Sequence, residues 1–236
     1  MIQIAAFPSD SGFGRSADTR ERLILAAERL FAEKGVDAVS LRQVNAAAGQ
    51  KNASAAHYHF GSKEELIEAI YEFRMARVNA RRLDMLAALD ARKASASLRN
   101  LVEAVVLPMV EEIEAGKGGK HYIRFIAQVR GHPAHDIGRI SRSKHASAMQ
   151  AFNDRALALL PHVPPHVFAV RFGLMIVQVV DALADRHRLL VSPVSRETIP
   201  MPLFVSILVD GTVAALSAPV SAQTTSELKA HQRKQA

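Results

Sequence analysis

The sequence predicts an all-α fold: a three-helix N-terminal helix-turn-helix unit, joined by a long helix to an antiparallel helical C-terminal region, with about nine helices in all. Three observations carry that expectation. Ser40 is followed three residues later by Gln43, and Ser62 by Glu65, and each pair opens an apolar stripe at helical spacing. Gly49 and Gly61 interrupt the pattern between and after them. No run along the chain alternates apolar and polar residues as a half-buried strand would.

Residues 1–16 mix Ser, Gly, Pro and Phe without a period and read as a mobile tail. Asp18 and Glu21 then make a helix start, and Leu23, Ala27, Leu30 and Phe31 recur on one face until Gly35 stops it. The helix capped by Ser40 buries Leu41, Val44 and Ala48 and ends at Gly49; Gln50, Lys51 and Asn52 form a turn. Ala53 to His59 make the second helix of the pair, with Ala53, Ala55 and Ala56 small enough to approach the core or a base edge. From Ser62 a further helix packs Leu66, Ile67, Ile70 and Tyr71 inward and continues to about Asp90, with Arg74, Arg77, Arg81 and Arg82 along it. That basic stripe reads as a solvated face first and as part of the field around a polyanion second. The unit spans 17–77.

Residues 78–217 read as a helical domain. A helix from Leu98 to Ala115 contains Pro108, which deletes one backbone donor. His121 to Val129 follow a Gly-rich break, Gly131 to His135 form a turn, and Ile137 to Leu160 are mostly helical. Pro164 and Pro165 start an apolar helix to about Leu190, and the last of the domain runs from Pro202 to about Leu216. Residues 218–236 are polar and basic and read as disordered.

Composition narrows the function. A net charge of +7 and a pI near 10 suit a polyanionic partner, although an inert basic surface has the same sum. The absence of cysteine removes disulfides, thiolate metal sites and cysteine nucleophiles together. The N-terminus lacks a basic n-region and is broken at Pro8, unlike a secretory signal. The most apolar stretch, Val167 to Leu183, is interrupted by Arg171, Gln178 and Asp181, so no membrane partner and a cytoplasmic location are expected. His132 with His135, and His162 with His166, have spacings a metal could use but lack Cys or a carboxylate set, and no metal or other cofactor is expected. No phosphate loop, nucleophile elbow or catalytic carboxylate pair is present, so the chain does not read as an enzyme; a helical enzyme with an unrecognised site is the least favoured alternative.

Three stretches together, Thr19 to Gly35, Ser40 to Ala48 and Tyr-His-Phe-Gly-Ser-Lys-Glu-Glu-Leu from Tyr58 to Leu66, resemble the TetR family of bacterial transcriptional regulators. Two departures stand out. The turn and recognition helix are one residue longer near Asn52 than the commonest family pattern, and His57 occupies the place where many members carry a phosphate-binding Tyr, with Tyr58 beside it. The resemblance implies a homodimeric repressor that binds a double-stranded, palindromic DNA operator and is released by a small-molecule effector. A regulator controlled by a protein partner or by abundance is the alternative.

Affinity in such a reader comes from phosphates and specificity from base edges. Ser40 and Lys63, each at a helix N-terminus, read as phosphate clamps. Arg42, Gln43, Lys51, Asn52, Ser54, His57 and Tyr58 are the groove candidates, and the resemblance sets Ala53 and Ser54 against bases. Gln43 also reads as a capping partner only, and His59 and Phe60 as packing residues. In the C-terminal domain the implied effector pocket draws on Met109, Tyr122, Phe125, Ile126, Phe172, Met175 and Gln178, each of which also reads as plain core. The resemblance places the subunit-pairing helices at Val167–Leu189 and Leu203–Leu216, both apolar over more of their surface than one subunit needs.

Overall fold

The computed structural model describes residues 11–91, 97–116, 118–131, 146–190 and 199–235, among which ten helices and no strand occur. α1 (Ser11–Lys34), α2 (Leu41–Ala47), α3 (Ala55–Phe60) and the start of α4 (Lys63–Ala91) form the N-terminal head. α5 (Leu98–Glu114), α6 (Gly119–Arg130), α7 (Ala146–Leu159), α8 (Pro165–Leu190) and α9 (Met201–Ser217) form the body, and α10 (Ala222–Gln235) follows.

In the head, Leu23, Ile24, Ala27 and Phe31 of α1 pack at zero exposure against Val44, Ala56, Leu66 and Ile70, the residues that the helical spacing points inward. α4 leaves the head and runs along α5, while α6 lies along α1. Phe31 of α1 stacks on Phe125 of α6 with ring centroids 6.1 Å apart, and Gln128 Nε2 donates to the Ala32 carbonyl at 3.2 Å. Head and body therefore share one hydrophobic core. Gly119 is what lets α6 sit so close to α5, because a Cβ there would lie 1.9 Å from the backbone oxygen of Glu112.

A buried ion network crosses the same junction. Arg74, 1 % exposed, donates from Nε to Glu28 Oε2 at 2.6 Å and from Nη2 to Glu28 Oε1 at 2.7 Å, and from Nη1 to Glu112 Oε1 at 2.7 Å. Arg77 adds a 2.6 Å bond from Nη2 to the same Glu112 oxygen and one from Nε to Oε2 at 3.1 Å. Burial pushes the Glu112 carboxyl up, but the hydrogen bonds from Arg77 and Arg74 outweigh it and hold the group below its ordinary value. The stripe read as a solvated basic face is thus corrected. Arg74 and Arg82 are buried, Arg77 is half exposed against Glu112, and Arg81 lies on the surface with Glu111 at 3.0 Å. Periodicity could not reveal this, since the carboxylates are contributed by α1 and α5.

Both termini are more helical than expected. α1 begins at Ser11 rather than near Asp18, as no proline follows Pro8 to stop it, and residues 1–10 lie outside the described residues. The stretch expected to be disordered is helical over Ala222–Gln235: Ser221 Oγ accepts the Thr224 N–H at 3.1 Å, and Ala, Gln, Glu, Leu, Lys and Arg are strong helix formers. Its side chains are nearly all exposed, so propensity and the cap rather than burial hold it. The turn Gly131–His135 beyond Gly131, the first part of the Ile137–Leu160 helix and Pro193 lie outside the described residues.

α8 is more apolar than its sequence reading allowed. Over Pro165–Arg186 it is long and apolar enough to cross a bilayer by length and composition. Two of its charges are nevertheless engaged within the fold: Asp181 accepts from Arg130 Nη2 at 2.6 Å, and Arg171 donates to the Leu216 and Ala218 carbonyls at 3.0 and 2.6 Å. Phe168, Met175, Val179 and Leu183 face the body, whereas Val170 and Leu174 are 64 % and 62 % exposed.

Removing one member of a buried ion network leaves the others uncompensated. Arg74→Met is expected to cost about 3–5 kcal/mol in urea unfolding, whereas Arg81→Ala, which breaks an exposed pair, should leave the urea midpoint nearly unchanged. Because the folded Glu112 pKa lies below the ordinary 4.5, its contribution is present above that value and lost as pH falls through the folded one. Glu112→Gln should therefore shallow the acid limb of the stability–pH curve below about pH 4.5.

Candidate nucleic-acid interface

The helix-turn-helix is assembled by local caps and one buried side chain. Ser40 Oγ accepts the Gln43 N–H at 3.3 Å while Gln43 Oε1 accepts the Ser40 N–H at 2.8 Å, which is the box the sequence predicts. Gln43 is thus a capping partner whatever else it touches. Gly49 follows at φ 68°, a left-handed turn that costs other residues strain. Ser62 and Glu65 form the second box, with Ser62 N–H to Glu65 Oε2 at 3.0 Å and Glu65 N–H to Ser62 Oγ at 3.1 Å.

The second helix starts later than expected. α3 covers Ala55–Phe60, and Ala53 and Ser54 belong to the preceding turn, because Asn52 Oδ1 accepts the Ser54 N–H at 2.9 Å and holds the chain in an Asx turn. Ala55 and Ala56 are buried, so of the small residues only Ala53 stays at the surface. Asn45 was not legible as a site residue, yet it sets the geometry. At 2 % exposure its Nδ2 donates to the Ala53 carbonyl and its Oδ1 accepts the Ala56 N–H at 2.8 Å, suturing α2 to α3. The signal available was a polar residue next to Val44 on the apolar side of a short helix.

The structure leaves nearly all the sequence-predicted residues at the surface of the head. Ser40, Arg42, Gln43, Lys51, Asn52, Ala53, Ser54, His57 and Tyr58 are all exposed, Tyr58 at 84 %, its ring edge-on to His59 at 5.3 Å. Lys63 is half buried, with its ammonium 6.0 Å from the centre of the Phe31 ring, so part of its side chain packs on the core. Phe60 is buried and His59 half buried, as packing residues. Arg20 of α1 stands over the Phe60 ring at 5.2 Å and adds a cation beside this surface that the motif gave no reason to name.

Of the seven effector-pocket candidates, six belong to the one hydrophobic core or pack against it. Met109, Tyr122, Phe125, Ile126 and Met175 are core residues; Tyr122 donates its hydroxyl to Met75 Sδ at 2.9 Å, and Phe125 lies on Phe31 of the head. Phe172 packs on Phe152 and Phe168 at 5.6 and 6.4 Å. Gln178 is exposed beside Gly211 of α9 and stands apart, since α8 is apolar around so much of its circumference that the pattern hides which side faces inward. A groove of about 340 Å³ between α5 and α9, walled by Leu107, Val110, Met201 and Val205 with Arg99 and Glu103, contains none of them. Among the described residues no group of three or more metal-ligating side chains comes together; His162 Nε2 is instead 3.0 Å from the Ser217 carbonyl oxygen, and His132 and His135 lie outside them.

Residues 23–70 match the family model described as bacterial regulatory proteins, tetR family, and residues 103–201 match the tetracyclin repressor-like C-terminal domain, together more than half of the chain. The chain belongs to the TetR family. As a member of it, it is a DNA-binding transcriptional regulator and not an enzyme. Solved structures share the fold. NalD, the secondary repressor of the MexAB-OprM multidrug efflux pump in Pseudomonas aeruginosa, is 21 % identical with a TM-score of 0.55 over 86 % of this chain and 97 % of its own. AibR, crystallised with isovaleryl coenzyme A and operator DNA, is 18 % identical with a TM-score of 0.54 over 86 % and 100 %. A regulator from Mesorhizobium loti is 17 % identical with a TM-score of 0.52 over 86 % and 97 %. No curated protein matches the chain.

Asn45→Ala leaves a buried N–H and carbonyl at the α2–α3 joint without partners, an expected loss of about 1–3 kcal/mol, and should weaken every DNA sequence alike. In gel-shift titrations Lys63→Ala should lower the salt slope by about one and weaken all sequences by a similar factor, whereas Ser54→Ala should change preference at particular bases. A uniform effect of Ser54→Ala would reassign it to the backbone.

Proposed function

We propose that the protein is a homodimeric repressor that binds a palindromic operator through Ser40, Arg42, Gln43, Lys51, Asn52, Ala53, Ser54, His57, Tyr58 and Lys63, and is released by a small-molecule effector. The observation that carries the dimer is the apolar face of α8 and α9. Val170, Leu174 and Val177 recur at helical spacing on α8, and Leu203 and Ile207 on α9, between 38 % and 64 % exposed. Gly173 and Gly211 lie on the same surface with no side chain of their own, so a facing helix can come close. A contiguous apolar face on paired helices is what a two-fold, self-complementary four-helix interface uses. Two heads on such a dimer would reach successive major grooves with recognition helices roughly 34–36 Å apart.

Effector control is supported by the junction. α4 carries Arg74 between Glu28 of α1 and Glu112 of α5, so any ligand that favours one α4–α5 arrangement biases the position of the head. NalD is named as a repressor and AibR was captured with an acyl coenzyme A and an operator; repression and ligand release are consistent with that company.

Light scattering is expected to give twice the 25.7 kDa chain mass, and Leu174→Asp with Ile207→Asp to give monomers whose operator affinity falls by at least about a hundredfold through lost bivalency. A monomeric wild-type protein that binds its own upstream DNA tightly and specifically would overturn the dimer reading.

A further inference from the structure

Arg82 of α4 is 4 % exposed and meets no carboxylate among the described residues. Its neighbour on the same face, Arg74, meets two. Nε and Nη2 of Arg82 both donate to the Val105 carbonyl of α5, at 3.3 and 3.2 Å, and Nη1 donates to Asn79 Oδ1 at 3.0 Å. A guanidinium has five N–H groups, so among the described residues one on each terminal nitrogen is left without an acceptor. Asn79, 5 % exposed, has its Nδ2 buried without a partner. A positive charge and spare donors thus meet in one buried spot, with the phenols of Tyr71 and Tyr122 within electrostatic reach. The positions around it on the two helices, Val78, Leu86, Leu101 and Val102, are buried and apolar.

The backbone contact does not account for the charge. Pro108 removes the donor for the Ala104 carbonyl and opens the α5 ladder next to Val105, and a neutral amide could satisfy an acceptor there as well. A buried guanidinium without a counter-ion is unfavourable, and burial lowers the Arg82 pKa accordingly. The free edge of a guanidinium matches the two oxygens of a carboxylate. One positive charge calls for one negative charge, and the surroundings call for an apolar remainder.

We propose that Arg82 and Asn79 anchor the carboxylate of an apolar monocarboxylic acid bound between α4 and α5. The inference rests on the effector-responsive reading and names the ligand class. Pro108 marks the place where α5 yields most readily, and α4 transmits the change toward Arg74 and the head.

Calorimetric titration of the full chain with hexanoate, decanoate and benzoate tests it, with hexanol, benzyl alcohol and inorganic phosphate as comparisons. At least one acid should bind saturably with one site per chain, the alcohols should not, and Arg82→Gln and Asn79→Ala should each weaken the acid by about tenfold or more. If Arg82→Gln does not fold, Asn79→Ala alone decides. Absence of binding by all three acids, equal binding of acid and alcohol, unchanged affinity in the folded variants, or binding of phosphate alone would overturn the site. Operator gel shifts on the same samples separate the two readings. An acid that binds through Arg82 without releasing DNA upholds the site and ends effector control, whereas intact operator binding with no acid binding ends the site and leaves the DNA reader standing.

Discussion

The interaction on which the rest of the structure depends is the buried contact of Arg74 with Glu28 and Glu112. Taking three ionised groups out of water is costly, and only the bidentate geometry to Glu28 and the shared bonds to Glu112 offset that cost. The network is therefore a weak source of stability but a strict condition on geometry. α1, α4 and α5 satisfy it in one arrangement, and a shift of any one leaves a buried charge uncompensated. Around it the Phe31–Phe125 stack and the close approach at Gly119 join head and body over the same junction. The proposed effector control uses this joint, because a change in the body would reach the recognition surface only through elements that have few alternative packings.

What could be read from the sequence is what is local. The Ser40–Gln43 and Ser62–Glu65 boxes, the left-handed Gly49 and the long helix from Lys63 depend on neighbours within a few residues, and they formed where the spacing placed them. The exposed reading surface followed from those caps. What stayed hidden depends on partners distant in sequence. Arg74 and Arg82 look like surface arginines until Glu28, Glu112 and Val105 are brought to them; Asn45 looks like an ordinary polar residue until the α3 amides arrive. Gln178 is exposed while most of the other pocket candidates are buried, because α8 is apolar on two sides, one turned to the body and one outward. The polar C-terminal stretch was misread because a composition without apolar residues excludes a core, not a capped helix.

The outward side of α8 and α9 is also where length and composition mislead most readily. In a helix apolar enough for a bilayer, Arg171 and Asp181 are tied into the fold while Val170 and Leu174, like Leu203 and Ile207 of α9, are exposed, and these are the residues that the proposed subunit pairing uses. Reader, joint and proposed pairing face thus form one sequence of dependence, in which α4 is the element common to the first two and the body presents the third.

The measurement that bears most directly on this account is hydrogen exchange followed by mass spectrometry along a urea series. If Arg74 locks head and body into one cooperative unit, the amides of α1 and of the head portion of α4 lose protection at the same urea concentration as those of α5 and α6, and Arg74→Met splits that transition in two. Separate unfolding of the α1 amides in the wild-type protein, well before those of α5 and α6, would contradict it.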